Sequence, residues 1–254
     1  MSAAISTGPS GIIEAGVHGN SQKPQLKVHG FDAAIIDLDG TLIDTMGDFV
    51  AAINLMLLDM GLSPVDHSVV GLRVGKGSEY LVQSVLNSIS AQSNRLHLAV
   101  KTEADSGSAL ALYQKHYSVV NGQHAQVYPG VLEGMQALQQ AGLKLACLTN
   151  KPLAFAQTLL KLKGLDGFFS VVFGGDSFAR KKPDPLPLIK ACEAPGTLPA
   201  RTVMIGDSSN DAQAARAAGC PVLLVTYGYN HGEPIRGIDA DGFVDSLADL
   251  HLLK

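Results

Sequence analysis

Residues 31–41, Phe-Asp-Ala-Ala-Ile-Ile-Asp-Leu-Asp-Gly-Thr, constrain the fold of this chain more than any other stretch. The small and apolar run ahead of Asp37 reads as a buried strand. Strands covered on both faces are apolar throughout, whereas half-exposed strands alternate. The run stops in two carboxylates one residue apart and a glycine. Alternation along an extended chain sends Asp37 and Asp39 to the same side. Open α/β sheets hold their ligands beyond the carboxyl ends of their strands. Two carboxylates held close repel each other, and a divalent cation between them lowers that cost. Asp-Gly is also a common turn dipeptide, so this stretch alone leaves a solvated turn open. The rest of the chain decides.

From Tyr128-Pro-Gly130 onward, strand and helix patterns alternate. Helices are predicted over 131–141, 153–163, 184–192 and 209–218. Gly142, Gly164 and Gly219 stop three of them, and a proline-rich turn opens the helix at 184. Strands are predicted over 143–148, 171–173, 202–205, 221–225 and 243–244, with a closing helix after the last. Such alternation implies βαβ units and a parallel sheet. Between the first strand and this region the pattern is helical. Phe49, Ile53, Met56 and Met60 fall at helical spacing ahead of Gly61, Asp44 is placed to cap that helix, and 79–89 and 96–120 carry further apolar stripes. The predicted architecture is therefore an α/β, Rossmann-like parallel-sheet core formed by 29–44 and 128–254, with a small α-helical cap inserted at 45–127. Residues 1–28 are rich in Gly, Ser and Pro without sustained period and are read as a disordered extension, in which His18 is incidental. They lack a basic start followed by an apolar segment, so they do not read as a secretory signal.

The 254 residues are 46% hydrophobic and 17% charged, enough to bury a sizeable core in one large domain or two smaller ones. A net charge of −4 argues against nucleic acid or an anionic membrane as partner. No apolar run is long enough to span a bilayer. Cys147, Cys192 and Cys220 are widely spaced and odd in number, which suits a reducing, cytoplasmic setting and neither a disulfide framework nor a zinc site. Nothing in the sequence chooses between monomer and homodimer.

Polar residues recur where strands stop. Asp37 and Asp39 follow the first, Thr149 and Asn150 the second, and Gly206-Asp207-Ser-Ser-Asn-Asp211 the strand at 202–205, while Lys182 lies in Arg180-Lys-Lys-Pro-Asp-Pro185 at a helix start. In a parallel sheet these ends share one edge. The set is chemically coherent: carboxylates for a hard cation, a hydroxyl and an amide for phosphate oxygens, and a lysine to offset negative charge. Asp207 and Asp211, four apart at a helix start, lie near one face. Each group also has a plain structural role open to it, as an N-cap or a solvated side chain. One more feature stands out in the helical insert. Arg73-Val-Gly75-Lys76-Gly77 is a glycine-flanked basic loop, either an exposed turn or an anion contact.

Asp37-Leu-Asp-Gly-Thr-Leu42, Thr149-Asn-Lys151, Lys182-Pro-Asp-Pro185 and Gly206-Asp-Ser-Ser-Asn-Asp211 resemble, in order, the four motifs of the haloacid dehalogenase superfamily over roughly residues 30 to 250. Within it the chain is similar to bacterial phosphoglycolate phosphatases, through Tyr128-Pro-Gly130, Leu148-Thr-Asn-Lys-Pro152, Phe173-Gly-Gly-Asp176 and Arg180–Pro185. The resemblance implies magnesium-dependent hydrolysis of 2-phosphoglycolate to glycolate and phosphate, in a salvage role returning glycolate to metabolism. It implies Asp37 as nucleophile forming an aspartyl-phosphate and Asp39 as general acid and then base. It implies Mg²⁺ held by Asp37, the Asp39 backbone carbonyl and Asp207, with Asp211 orienting the site from outside it. Thr149, Asn150 and Lys182 would hold phosphoryl oxygens, and a closing cap would offer Arg73 and Lys76 to the substrate carboxylate. Sugar-phosphate phosphatases and β-phosphoglucomutase-like mutases use the same core. Dehalogenases lack an acid at the position of Asp39. A signalling receiver domain carries its phosphorylated aspartate on a later strand, and a phosphate-binding module without turnover has no chemical need for Asp39.

Overall fold

The computed structural model describes residues 11–16, 25–95 and 106–252. Its centre is a six-stranded sheet built from β3 (Ala33–Ile36), β6 (Lys144–Leu148), β7 (Val171–Phe173), β8 (Thr202–Gly206), β9 (Val222–Val225) and β10 (Gly242–Val244). The spatial order is β10-β9-β8-β3-β6-β7, with every pair parallel. The predicted α/β core is thus borne out. β3 sits between β8 and β6, where the chain's connections diverge to the two sides, and that is the switch point at which such sheets carry their ligands.

The continuous apolar strands are explained by two separate cores. Ala34, Ile36, Leu145, Cys147, Val203, Ile205, Leu223 and Val225 face one. The residues between them, Ile35, Ala146, Leu148, Met204, Val222 and Leu224, face the other. Helices α5 (Val131–Gln140) and α6 (Leu153–Leu162) pack against the first. Helices α7 (Leu186–Glu193) and α8 (Ser209–Ala218) pack against the second.

Helices α1 (Met46–Asp59), α2 (His67–Gly71), α3 (Ser78–Arg95) and α4 (Ser106–Val120) form a separate body over the sheet edge. They have their own core, in which Phe49, Ile53, Met56, Val85, Tyr113 and Tyr117 are buried. Both chain crossings into this body are paired: β4 (Ile43–Asp44) runs antiparallel to β5 (Gln126–Val127). The Asp48 carboxylate is buried in the first turn of α1 and accepts the backbone N–H groups of Gly122 (2.6 Å) and His124 (2.8 Å). It thereby ties the start of the cap to its end.

Two expectations are corrected. Within residues 1–28, β1 (Ile12–Gly16) pairs antiparallel with β2 (Gln25–His29), whereas 1–10 and 17–24 lie outside the described residues. The polar/apolar alternation of Gln25-Leu-Lys-Val-His29 carries a strand period that the small residues around it conceal. Among the described residues no closing helix follows β10. A single 3₁₀ turn at Leu247–Asp249 leads into β11 (Leu250–Leu252), which runs parallel to β2. Of the predicted helix at 96–120, residues 96–105 lie outside the described set.

Candidate active site

The carboxyl ends of β3, β6 and β8 and the turn before α7 bring their polar residues together. Carboxylate oxygens of Asp37, Asp207 and Asp211 lie within 4.8 Å of one another, and all three residues are buried. At that separation, with an effective dielectric of about 20, each pair of charges repels by about 3.5 kcal/mol. Lys182 is the counter-charge: its Nζ is 2.6 Å from Asp211 Oδ1 and 2.9 Å from Asp37 Oδ1, and it donates to the Leu148 carbonyl at 2.9 Å. Burial alone would lower the Lys182 pKa, but Asp211 and Asp37 outweigh it and hold the ammonium above its usual range. Three carboxylates and one ammonium leave two uncompensated negative charges. The consequence is visible in the acids. Burial pushes Asp37 up to about 7, opposed by Lys182 and reinforced by Asp211. Asp207 is raised well above the carboxylate range by burial and then by Asp211 and Asp37.

The residues fit a hard divalent cation. The donor set is oxygen only, and its charge deficit equals that of one such ion. Asp37 Oδ1 is buried and, apart from the ion pair with Lys182, has no hydrogen-bond partner. Asp207 is reached from two sides by glycine backbone: a Cβ on Gly40 or Gly228 would overlap its carboxylate. Gly40 also needs its left-handed φ of +84° for the turn that follows Asp39.

Asp211 is committed to the chain. Its Oδ2 accepts from the backbone N–H groups of Asp207 and Ser208, both at 3.2 Å, and from Ser208 Oγ at 2.8 Å, closing a capping box at the start of α8. Gly206 lies so close beneath it that any Cβ there would meet the Asp211 carboxyl group. Thr149 is buried and accepts the Lys151 N–H on its hydroxyl. Asn150 has its side chain fully engaged: Oδ1 accepts from Lys182 N (3.0 Å), and Nδ2 donates to the Lys182 carbonyl and the Gly75 carbonyl, both at 2.9 Å. The amide expected at phosphate is, in this closed arrangement, a brace that holds Lys182 and the cap loop.

Asp37, Asp39, Thr149 and Asn150 line a cavity closed from above by Phe49, Tyr113 and Tyr117 of the cap. Its volume is about 30 Å³, room for a water or two. Arg73 and Lys76 are not brought to it. Arg73 donates to the carbonyls of Val69 (2.5 Å) and Ser84 (3.2 Å) within the cap. Lys76 is exposed, with its Nζ 5.1 Å from the centre of the Tyr80 ring. It is the backbone of their loop that reaches the core: the Gly75 carbonyl accepts from Asn150 and from Asn210 Nδ2 (3.2 Å). A φ of +105° at Gly75 permits this approach, and the charged neighbours point elsewhere.

Two residues outside the predicted set are central. Lys151 places its Nζ 2.7 and 2.9 Å from the two carboxylate oxygens of Asp39, and Asp39 Oδ1 also accepts from Thr45 Oγ1 at 2.8 Å. Lys151 directly follows Asn150 in a motif already singled out, so its position was on view though its partner was not. Tyr229, on the loop after β9, donates its N–H to Asp207 Oδ2 (2.6 Å) and its hydroxyl to Asp44 Oδ1 (2.6 Å). The Tyr229 hydroxyl oxygen in turn accepts the N–H groups of Thr45 (2.7 Å) and Met46 (3.0 Å). It links the acidic cluster to the cap's first crossing, and no local signal marks it. Asp44 accepts the Met46 N–H at 3.1 Å, the capping role read from sequence.

A parallel sheet with paired carboxylates at its switch strand, a lysine among acids and a helical cap defines a hydrolase of the haloacid dehalogenase-like class. The family model for haloacid dehalogenase-like hydrolases matches residues 31–219, and the chain belongs to that family. It is an enzyme of the phosphatase branch. It is 43% identical over 222 residues to the phosphoglycolate phosphatase of Thiobacillus denitrificans, covering 87% of this chain and 94% of that one. It is also 43% identical to a plasmid-borne phosphoglycolate phosphatase of Cupriavidus necator, over 87% of this chain and 92% of the other. Among solved structures, a crystal structure described as a predicted phosphoglycolate phosphatase from Haemophilus somnus superposes with a TM-score of 0.80 at 33% identity, covering 87% and 96% of the two chains.

Proposed function

We propose that this enzyme hydrolyses 2-phosphoglycolate to glycolate and phosphate through a phosphorylated aspartate. The observation that carries the reading is the division of labour between two neighbouring acids. Asp37 belongs to the acidic cluster around Lys182, whereas Asp39, two residues on, is outside that cluster and paired with a different cation, Lys151. The names of the relatives supply the substrate.

In this reading Asp37 attacks phosphorus, needing no deprotonation at neutral pH once a cation offsets the cluster. Asp39 gives its proton to the departing ester oxygen, then takes one from the water that attacks the aspartyl-phosphate. Thr149 and Lys182 steady the phosphoryl oxygens, and Asn150 holds Lys182 in place. Mg²⁺ held by Asp37, the Asp39 carbonyl and Asp207 would supply positive charge between nucleophile and phosphate, with Asp211 orienting Asp207 from behind. The cavity admits no phosphate ester as it stands, so the cap opens for entry, with the paired crossings β4 and β5 as its hinge. The three buried free thiols support a reducing, cytoplasmic setting.

The test is rapid acid quenching of wild-type enzyme turning over 2-phosphoglycolate with Mg²⁺, sampled through the first turnovers and followed by peptide mass analysis, with Asp37→Asn as the control. One phosphoryl group on the peptide holding Asp37 is expected. Its absence, with wild-type enzyme turning over under the same conditions, would remove Asp37 as nucleophile.

A further inference from the structure

Lys151 is a buried lysine whose surroundings do more than neutralise it. Its side chain is 2% exposed. Two of its three N–H donors are directed at Asp39. Its ammonium also lies 4.6 Å from the centre of the Phe49 ring and 4.9 Å from that of Tyr117, both contributed by the cap. Those distances are within cation–π range. Among the described residues lining the cavity, Lys151 is the sole cation. Tyr117 adds a second, independent observation: it lines the same cavity and is 1% exposed, yet its hydroxyl has no hydrogen-bond partner. A buried hydroxyl without a partner costs about 1–3 kcal/mol. That cost is recovered when a ligand oxygen arrives. Burial, then Asp39 and Tyr113, hold its pKa well above the tyrosine range, so it carries a proton to donate.

We infer that Lys151 and the Tyr117 hydroxyl form the subsite for the carboxylate of the substrate. The inference rests on the phosphoglycolate reading and names the residues that make it selective. Its geometry follows from connectivity. Asp39 serves the ester oxygen, and in 2-phosphoglycolate the carboxylate carbon is two bonds from that oxygen. A cation bonded to Asp39 is therefore placed to meet the carboxylate. The remaining N–H of Lys151 donates to one carboxylate oxygen and the phenol to the other, charge-assisted bonds in a site shut off from water. Because Phe49 and Tyr117 belong to the cap and Lys151 to the core, the subsite is complete only when the cap is closed. Selection and closure are then one event.

The experiment compares kcat/KM for 2-phosphoglycolate and for ethylene glycol monophosphate, in which hydroxymethyl replaces carboxylate, in wild type, Lys151→Met and Tyr117→Phe. Lys151→Met lowers both rates by disturbing Asp39, so the readout is the ratio between substrates. The ratio is expected to fall about 10- to 100-fold in Lys151→Met, and about 5- to 10-fold in Tyr117→Phe, which keeps the ring and removes only the hydroxyl. A wild-type ratio well above one that both variants preserve overturns the subsite and leaves the substrate reading standing. A wild-type ratio near one overturns both.

Discussion

Raising the pH in the absence of divalent cation should destabilise this protein, and the acidic cluster sets the size of the effect. Asp37 moves from 3.8 to about 7 on folding, driven by burial. The native state therefore keeps a proton that the unfolded state gives up. For a group raised in this sense, the stability contribution is fully present below the unfolded value near 4 and is lost as pH rises through about 7. Roughly three pH units at about 1.4 kcal/mol each amount to about 4 kcal/mol. Asp207 is raised by burial and then by Asp211 and Asp37 itself, so the cluster titrates as a unit and the two shifts do not simply add. About two of the three pH units, or about 2.7 kcal/mol, fall between pH 5 and pH 8, which for a chain of this size lowers Tm by about 5–10 °C. A divalent cation replaces the proton. At a hundredfold excess over its Kd it contributes about 2.7 kcal/mol, and it does so at pH 8 far more than at pH 5, where it must displace the proton to bind. The assay is thermal unfolding from pH 5 to 8 with EDTA or with millimolar Mg²⁺, on wild type and Asp207→Asn. A cation-free Tm that stays level or rises with pH, or a Mg²⁺ increment equal at both ends, would refute the charge accounting. So would an Asp207→Asn slope as steep as that of wild type.

Two further outcomes follow from the same geometry. Lys182→Met removes the ammonium between Asp37 and Asp211. Cation-free protein should lose about 3–5 kcal/mol by urea unfolding, more at pH 8 than at pH 5, and a loss below about 1 kcal/mol at pH 8 would show the pair to be unimportant. Tyr229→Phe deletes the hydroxyl that donates to Asp44 and accepts from Thr45 and Met46. It should cost about 1–3 kcal/mol and speed proteolysis at the cap crossings, with unchanged proteolysis counting against Tyr229 as the clasp of the hinge.

The sheet, its strands and the meeting of Asp37, Asp207, Asp211 and Lys182 were legible because parallel topology brings strand ends to one edge whatever the loops do. The helix ends were legible at Gly142, Gly164 and Gly219 for a local reason, the stop signal of glycine. What stayed hidden depends on tertiary placement. The pairing of Lys151 with Asp39 joins residues 112 apart in sequence, and that of Tyr229 with Asp44 residues 185 apart. Arg73 and Lys76 looked like substrate contacts by charge, yet the glycines beside them decide the loop's role by letting its backbone approach Asn150 and Asn210. β1 and β2 were masked by a small-residue composition, since β11 and β2 pair only once the chain has returned from its far end.

The most direct measurement of the central claim is Mg²⁺-dependent phosphate release from 2-phosphoglycolate beside hexose phosphates, nucleoside monophosphates and pyrophosphate. The account predicts a kcat/KM for 2-phosphoglycolate well above all the others and its loss in EDTA. A flat profile or a preference for sugar phosphates would contradict the substrate, and release that persists undiminished in EDTA would contradict the role given to the acidic cluster.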